Sequence, residues 1–133
     1  MVFSIWVTTR CNLYCDYCYE GKNKADLDMN AETADKVLDF ISGKIKQDGV
    51  NEKIKIVFHG GEPLLNISII KYIMENITKF HSKSEVFYSI TTNGVLISES
   101  NIDFLVNSFN EISISIDGTA QTHDLHRKNA SGK

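Results

Sequence analysis

The chain has 133 residues, of which 42% are hydrophobic and 23% are charged, and its formal net charge is -3. This composition is typical of a soluble globular domain, and no apolar run approaches the roughly 20 residues needed to cross a membrane. The basic residues are scattered along the chain and leave no electrostatic footprint for nucleic acid. The N-terminal stretch MVFSIWV is too short for a signal peptide, which predicts a cytoplasmic protein.

Strand and helix patterns alternate along the chain with little sequence between them. The predicted strands cover residues 3–8, 53–61, 85–94 and 111–118. The first helix, near residues 31–48, has Asn30 as its N-cap and Gly49 as its stop signal. Two further helices are predicted at residues 68–80 and after Ser98. This βαβαβαβ order predicts an α/β fold with a parallel sheet and crossover helices.

The second and fourth predicted strands alternate between an apolar face and a partly polar face. Strands that are buried on both faces normally read as continuous apolar runs, and these two do not. The pattern therefore predicts an open, curved sheet whose concave face holds a polar ligand. The residues on that face are, in chain order, Lys55, Val57, His59, Ser113, Ser115 and Asp117.

The segment after Asp117, GTAQTHDLHRKNASGK, is polar and shows no helical pattern that would close over the fourth strand. A parallel strand at the edge of a sheet leaves unpaired backbone groups, which natural proteins usually protect. We therefore favour a chain that is the front part of a larger enzyme over a complete four-stranded domain.

The three cysteines of the chain, Cys11, Cys15 and Cys18, fall within eight residues with the spacing CxxxCxxC. This spacing is too tight, and the number too odd, for a disulfide framework. Thiolates bind soft metals, and three ligands on one metal centre leave a coordination position open. Inert cysteines and a zinc site completed by His59 or His123 are alternatives, but familiar zinc spacings pair two cysteines with a second, distant pair. We favour an iron-sulfur cluster.

The stretch CNLYCDYCY resembles the CxxxCxφC signature of the radical S-adenosylmethionine (SAM) enzymes, with Tyr17 at the aromatic position φ. The resemblance continues through HGGEPLL, TTNG and SIDG, each at the end of a predicted strand, and THDLHR is similar to the HDxxR segment of SPASM-type peptide and protein maturases. These maturases include the anaerobic sulfatase-maturing enzymes. The resemblance implies the front part of a partial (β/α)6 TIM-like barrel. Residues 1–133 would then form the N-terminal portion of the core domain, without its remaining strands or any SPASM domain.

The resemblance also implies cofactors and chemistry. The three cysteines would hold three irons of a 4Fe-4S cluster, and SAM would chelate the fourth. Reductive cleavage of SAM would give a 5′-deoxyadenosyl radical that abstracts hydrogen from a peptide or protein substrate. A ferredoxin or flavodoxin would supply the electron. No residue is identified as a catalytic base or radical relay.

The same resemblance suggests roles for individual residues. Tyr17 would lie against the adenine of SAM, and the Gly60-Gly61-Glu62 turn would bind its amino group. Ser115 would bind the carboxylate or ribose. The other expected cofactor-site residues are Asn93, which ends the third strand in the same layer, Asp117, as a substrate or turn residue, and Arg127, which would reach a carboxylate of SAM or of a peptide.

Alternatives of a different class remain open at this point. The glycine, Asn93-Gly94 and Asp117-Gly118 positions are also good turn signals. A non-catalytic module that binds an iron-sulfur cluster or SAM as the partner of another protein would carry the same cysteines. A structural zinc domain is the third possibility, and the metal content of the purified protein separates it from the other two.

Overall fold

The computed structural model of the chain describes residues 1–21, 25–48, 53–80 and 86–129. Its strands are β1 (Val2–Trp6), β2 (Leu13–Cys15), β3 (Ile54–His59), β4 (Val86–Thr92), β5 (Glu111–Ile114) and β6 (Arg127–Asn129). Its helices are α1 (Ala31–Asp48), α2 (Ile67–Phe80), α3 (Ile102–Ser108) and α4 (Ala120–His126), and one 3-10 turn, Pro63–Asn66, precedes α2.

Four of the strands form a parallel sheet in the order β1-β3-β4-β5, so that their spatial order follows their order in the chain. The register pairs Trp6 with His59 and Thr92 with Ile114. Helices α1, α2 and α3 make the three crossovers between successive strands. This arrangement confirms the predicted α/β fold and is consistent with part of a (β/α) barrel. Strands β1 and β5 form the two edges of the sheet within the described ranges.

Helices α1 and α2 are amphipathic and cover one face of the sheet. On β3, Ile54, Ile56 and Phe58 are buried, while the alternate residues are only partly buried, as the sequence predicts. Removing side chains of this size from water contributes about 1.5–3 kcal/mol each. The helix residues that complete the core are Ala34, Leu38, Ile41, Ile45, Ile70, Ile73, Met74 and Ile77.

The ends of the predicted elements agree with the structure in part. The backbone amide of Thr33 donates to Asn30 Oδ1 over 2.9 Å, which confirms Asn30 as the N-cap of α1. The predicted stop signal at Gly49 and the first residue of the third predicted strand, residue 85, lie outside the described residues. No helix in the described part of the chain is long and apolar enough to cross a membrane.

The segment that follows β5 differs from the prediction. The fourth strand ends at Ile114, four residues earlier than predicted, and Gly118 adopts a left-handed conformation with φ of 69°. Helix α4 and strand β6 then follow, and neither element was predicted from the sequence. The sequence does not reveal α4 because it is one short polar helix with no buried face.

Strand β6 pairs antiparallel with β2, and these two strands form a second, two-stranded sheet. The register places Leu13 opposite Asn129, and Cys15 opposite Arg127. The C-terminal part of the described chain therefore lies against the cysteine loop. The apolar side chains at the end of β5 are left uncovered, with Ile114 49% exposed and Ile116 67% exposed.

Candidate functional site

The cysteine loop follows β1 and lies at the carboxyl ends of the parallel strands. A cavity of about 190 Å³ opens there between the loop and the strand ends. In open α/β sheets, ligands bind at this end of the strands. Nine of the eleven predicted site residues line the cavity, namely Cys11, Cys15, Cys18, Tyr17, Gly60, Gly61, Asn93, Ser115 and Arg127. The other two, Glu62 and Asp117, lie outside its lining.

The three cysteines are free thiols and are all partly buried. They line this cavity and also a smaller one of about 110 Å³ on the other side of the loop. Three cysteine sulfurs that line one cavity suit the irons of an iron-sulfur cluster. Among the described residues, no three His, Cys, Asp or Glu side chains are grouped closely enough to hold a single metal ion.

The Cys15 thiol experiences opposing electrostatic effects. Burial raises the pKa of Cys15, and the neighbouring thiols of Cys11 and Cys18 raise it further, whereas the guanidinium of Arg127 acts in the opposite direction. The net direction is upward. A metal that binds at this sulfur must therefore displace a proton.

The Cys11 sulfur accepts hydrogen bonds from two sides. The backbone amide of Leu13 lies 3.4 Å from Sγ, and Asn93 Nδ2 lies 3.8 Å from it. The same Asn93 amide group also donates to Asn12 Oδ1 over 2.8 Å. The end of β4 thus contacts the first part of the cysteine loop, and Asn12 joins the site without any signal in the sequence that would have identified it.

The two glycines after β3 allow the cysteine loop to approach the sheet closely. A Cβ atom on Gly60 would lie 2.6 Å from the carbonyl oxygen of Thr8, and one on Gly61 would overlap the carbonyl oxygen of Arg10. The amides of Gly61 and Glu62 donate to those same two carbonyl oxygens over 3.1 and 2.8 Å. These glycines are therefore required for contact between two backbones, in addition to lining the cavity.

The Glu62 side chain is completely buried and is used within the protein. Its Oε1 accepts from the Leu64 amide over 3.0 Å and from the Thr92 hydroxyl over 2.7 Å. Its Oε2 accepts from the Asn93 amide over 2.7 Å. The carboxylate thus joins the turn after β3 to the end of β4, and a ligand would not meet its oxygens in the cavity.

Tyr17, Asp117 and Arg127 form one interacting group. The Tyr17 hydroxyl donates to Asp117 Oδ2, and Arg127 Nε forms an ion pair with the same oxygen over 3.0 Å. The Arg127 guanidinium lies 5.5 Å from the centroid of the Tyr17 ring. Desolvation and the bond to Asp117 raise the pKa of Tyr17 to about 12, while the Tyr17 hydrogen bond and Arg127 lower the pKa of Asp117.

The two histidines considered as zinc ligands have different surroundings. His59 lines the cavity, and its ring stacks on Trp6 with a centroid separation of 5.0 Å. His123 lies on α4, where its Nδ1 accepts a bond from the Asp117 amide over 3.3 Å. Trp6, whose Nε1 donates to Glu20 Oε1 over 3.2 Å, is a neighbour of the site that the sequence analysis missed.

The family model described as the radical SAM superfamily matches residues 5–133. The chain therefore belongs to the radical SAM superfamily, which confirms the resemblance stated above and supports enzymes as its general class.

Individual relatives point in the same direction. An uncharacterized protein of Methanocaldococcus jannaschii is 37% identical over 127 residues, which are 96% of this chain and 42% of that protein. A cysteine-type anaerobic sulfatase-maturating enzyme of Clostridium novyi is 30% identical, with 95% of this chain and 34% of the enzyme covered. A serine-type enzyme of the same name from Bacteroides thetaiotaomicron is 30% identical, with 92% and 30% covered.

Solved structures agree on the fold. A structure described as native anSMEcpe with bound AdoMet and Kp18Cys peptide has a TM-score of 0.82 and 28% sequence identity, and the match covers 98% of this chain and 36% of that one. The three curated relatives named above are also longer than this chain, which spans between 30% and 42% of their length.

Proposed function

We propose that the chain binds a 4Fe-4S cluster through Cys11, Cys15 and Cys18 and binds SAM beside it. One observation carries the proposal: three free thiols line one cavity together with Gly60 and Gly61 of the GGE motif and Asn93 of the TTNG motif. When bound and reduced by an electron donor, the cluster would supply one electron for the reductive cleavage of SAM, and this cleavage would provide the radical for hydrogen abstraction from the substrate. The protein's own contribution is to orient these groups and to limit access of water.

The residues after β3 and β4 are proposed to hold the amino-acid part of SAM. Gly60 and Gly61 line the cavity, and their backbone carbonyl oxygens are proposed to accept hydrogen bonds from the ammonium group of SAM. Because Glu62 is buried and already accepts three hydrogen bonds, we propose that its carboxylate fixes the shape of this turn. Ser115 and Asn93 line the same cavity and would meet the carboxylate or the ribose.

The adenine and the charged groups of the ligand are assigned to the other wall of the cavity. The Tyr17 ring lines the cavity while its hydroxyl is fixed by Asp117, so the ring is held in place for contact with adenine. Arg127 lines the cavity beside Tyr17 and is proposed to attract a carboxylate of SAM or of a peptide. Asp117 acts on the ligand only through these two side chains.

The substrate, the electron donor and the rest of the domain are also proposals. Sulfatase-maturating relatives, and a solved structure described with a bound peptide, support a peptide or protein substrate. A ferredoxin or flavodoxin is proposed as the electron donor. Residues 1–133 are proposed to be the N-terminal portion of a larger core domain that further strands complete. Two observations support this: the chain covers only 34% of the Clostridium novyi relative, and the side chains of Ile114 and Ile116 are exposed.

The test is anaerobic reconstitution with iron and sulfide, followed by dithionite and SAM, with an assay for 5′-deoxyadenosine. Broad visible absorbance together with 5′-deoxyadenosine supports the whole proposal. A cluster without 5′-deoxyadenosine supports the binding site and assigns cleavage to a longer protein. A colourless protein with stoichiometric zinc, or one that takes up no cluster, overturns the proposal.

A further inference from the structure

The cysteine loop is attached to two separate parts of the molecule. The part around Cys11 contacts the parallel sheet, through the Glu62 amide on the Arg10 carbonyl and through Asn93 on Asn12. The part that contains Cys15 and Cys18 is held differently. Its local bonds are two turn contacts, from the Cys18 amide to the Cys15 carbonyl and from the Gly21 amide to the Cys18 carbonyl. Such turns set the local shape of a loop and do not fix its position on the protein.

Residues 117–129 supply long-range contacts to the second part of the loop, beside the bond from Trp6 Nε1 to Glu20 Oε1 that follows Cys18. Strand β6 pairs with β2 so that Arg127 lies opposite Cys15, and the Asp16 amide continues the ladder by donating to the His126 carbonyl over 3.2 Å. The backbone next to Cys15 is therefore hydrogen-bonded to a segment more than a hundred residues further along the chain.

Side chains strengthen this backbone pairing on both sides of it. His126 Nδ1 lies 2.9 Å from Asp16 Oδ2, and the His126 ring lies 6.1 Å from the Tyr17 ring, centroid to centroid. The Tyr17 hydroxyl donates to Asp117, which also pairs with Arg127. The two residues between Cys15 and Cys18, Asp16 and Tyr17, are thus each bonded to the same distant segment.

We propose that residues 117–129 act as a clasp that positions the thiols of Cys15 and Cys18 relative to Cys11. Asp16, His126 and Asp117 are positioning residues, since they act on the sulfurs through the backbone and through Tyr17 and Arg127. The proposal deepens the proposed function, because the geometry of three thiols matters only if they share one group. The clasp keeps two of the thiols in register with the third, which the sheet holds.

The first test uses the metal-free chain and amide hydrogen exchange. His126→Ala removes the bond to Asp16 and the contact with Tyr17, and Lys128→Pro removes a backbone amide from the middle of β6. We expect the amides of residues 13–18 to exchange at least tenfold faster in both variants, with β3 and β4 unchanged. Gln121→Ala, an exposed position on α4, is the matched control and leaves the exchange as in the wild type.

Unchanged exchange at residues 13–18 in both variants overturns the clasp. If Lys128→Pro also opens β3 and β4, that variant has lost the fold, and His126→Ala alone decides.

The second test measures how fast an iron chelator removes the reconstituted cluster. We expect the visible absorbance to decay at least threefold faster in His126→Ala than in Gln121→Ala. Equal decay rates overturn the positioning role. If the wild-type chain takes up no cluster at all, the proposed function fails, whereas the exchange experiment on the metal-free chain still decides whether the clasp exists.

Discussion

The parallel sheet and the cysteine loop are held by different kinds of interaction. On β3, Ile54, Ile56 and Phe58 are buried against helices, and the sheet is stabilised mainly by the removal of apolar surface from water. Within residues 11–18, Leu13 alone is buried, and the loop is positioned by hydrogen bonds and ion pairs to strand ends and to residues 117–129. The comparison teaches that the fold and the site can be damaged separately.

The largest expected effect lies in the core of the sheet. Phe58 is fully buried and packs edge-on against Phe109 at 6.0 Å between ring centroids, so Phe58→Ala should lower the free energy of unfolding by about 3–5 kcal/mol. Urea denaturation measures this loss. Phe87→Ala, on the next strand but 38% exposed, should cost about 1 kcal/mol or less. Equal losses at the two positions would contradict the assignment of the core.

The buried Glu62 side chain joins the turn after β3 to the end of β4, and its replacement has the next largest expected effect. Glu62→Gln replaces an acceptor oxygen by a donor group that must face the amides of Leu64 and Asn93 or the hydroxyl of Thr92. The free energy of unfolding should fall by about 1–3 kcal/mol, since a buried donor loses its partner. Glu75→Gln on the exposed side of α2 is the control, with a change within about 0.5 kcal/mol. If Glu62→Gln leaves the free energy of unfolding unchanged, the carboxylate does not stabilise the contact between the strand ends.

Gly61 tests the contact between the sheet and the start of the loop. In Gly61→Ala the new Cβ would overlap the Arg10 carbonyl oxygen, and relieving this overlap should cost about 1–3 kcal/mol and reduce cluster uptake. Gly43→Ala in α1 meets no atom within 4 Å and should instead stabilise the protein by about 0.5–1 kcal/mol, because alanine favours a helix. Urea denaturation of both variants gives the comparison, and a sign that is the same for both would refute it.

The variant Cys15→Ala is expected to affect the site without affecting the fold. We expect Cys15→Ala to abolish cluster uptake in anaerobic reconstitution, while the free energy of unfolding of the metal-free chain changes by less than about 1 kcal/mol, because the side chain lies in a partly buried loop and not in the core. Visible absorbance and urea denaturation measure the two effects. Retention of a full cluster by this variant would count against the three-thiolate site.

The smallest effect concerns a charge pair on the polar face of the sheet. Lys55 Nζ lies 2.8 Å from Glu111 Oε2, and its hydrogen bond lowers the pKa of Glu111. Because the folded-state pKa is depressed, the pair stabilises the fold above the ordinary pKa of the carboxyl, and this contribution is lost as the pH falls through the folded-state pKa. NMR titration should find the Glu111 pKa raised in Lys55→Met. An unshifted value would mean that the pair does not form in solution.

The sequence predicts the sheet well because its determinants are local. Alternation on β3 and the apolar stripes of α1 and α2 are visible in any short window, and the buried residues follow them. The cysteine spacing and the GGE and TTNG motifs also identify most of the cavity lining in advance. These signals need no knowledge of which segments meet in space.

The errors lie where distant polar residues meet. Helix α4 and strand β6 have no apolar periodicity, so nothing local reveals that they pair with the cysteine loop. Glu62 looks like an exposed ligand residue in the sequence, but Thr92 and Asn93, some thirty positions away, use its oxygens. Predicting such contacts requires the tertiary arrangement itself.

The pairing of the cysteine loop with β6 also sets an order of events during synthesis. Asp16 and His126 are 110 residues apart, which at ribosomal rates corresponds to roughly 5 to 20 seconds of elongation. During that interval the nascent chain carries Cys15 and Cys18 without the segment that contacts their loop. Under the proposed function, iron-sulfur delivery is therefore best matched to a chain in which residues 117–129 have already been synthesised, and a stalled nascent chain that ends before residue 117 would present its thiols without these contacts.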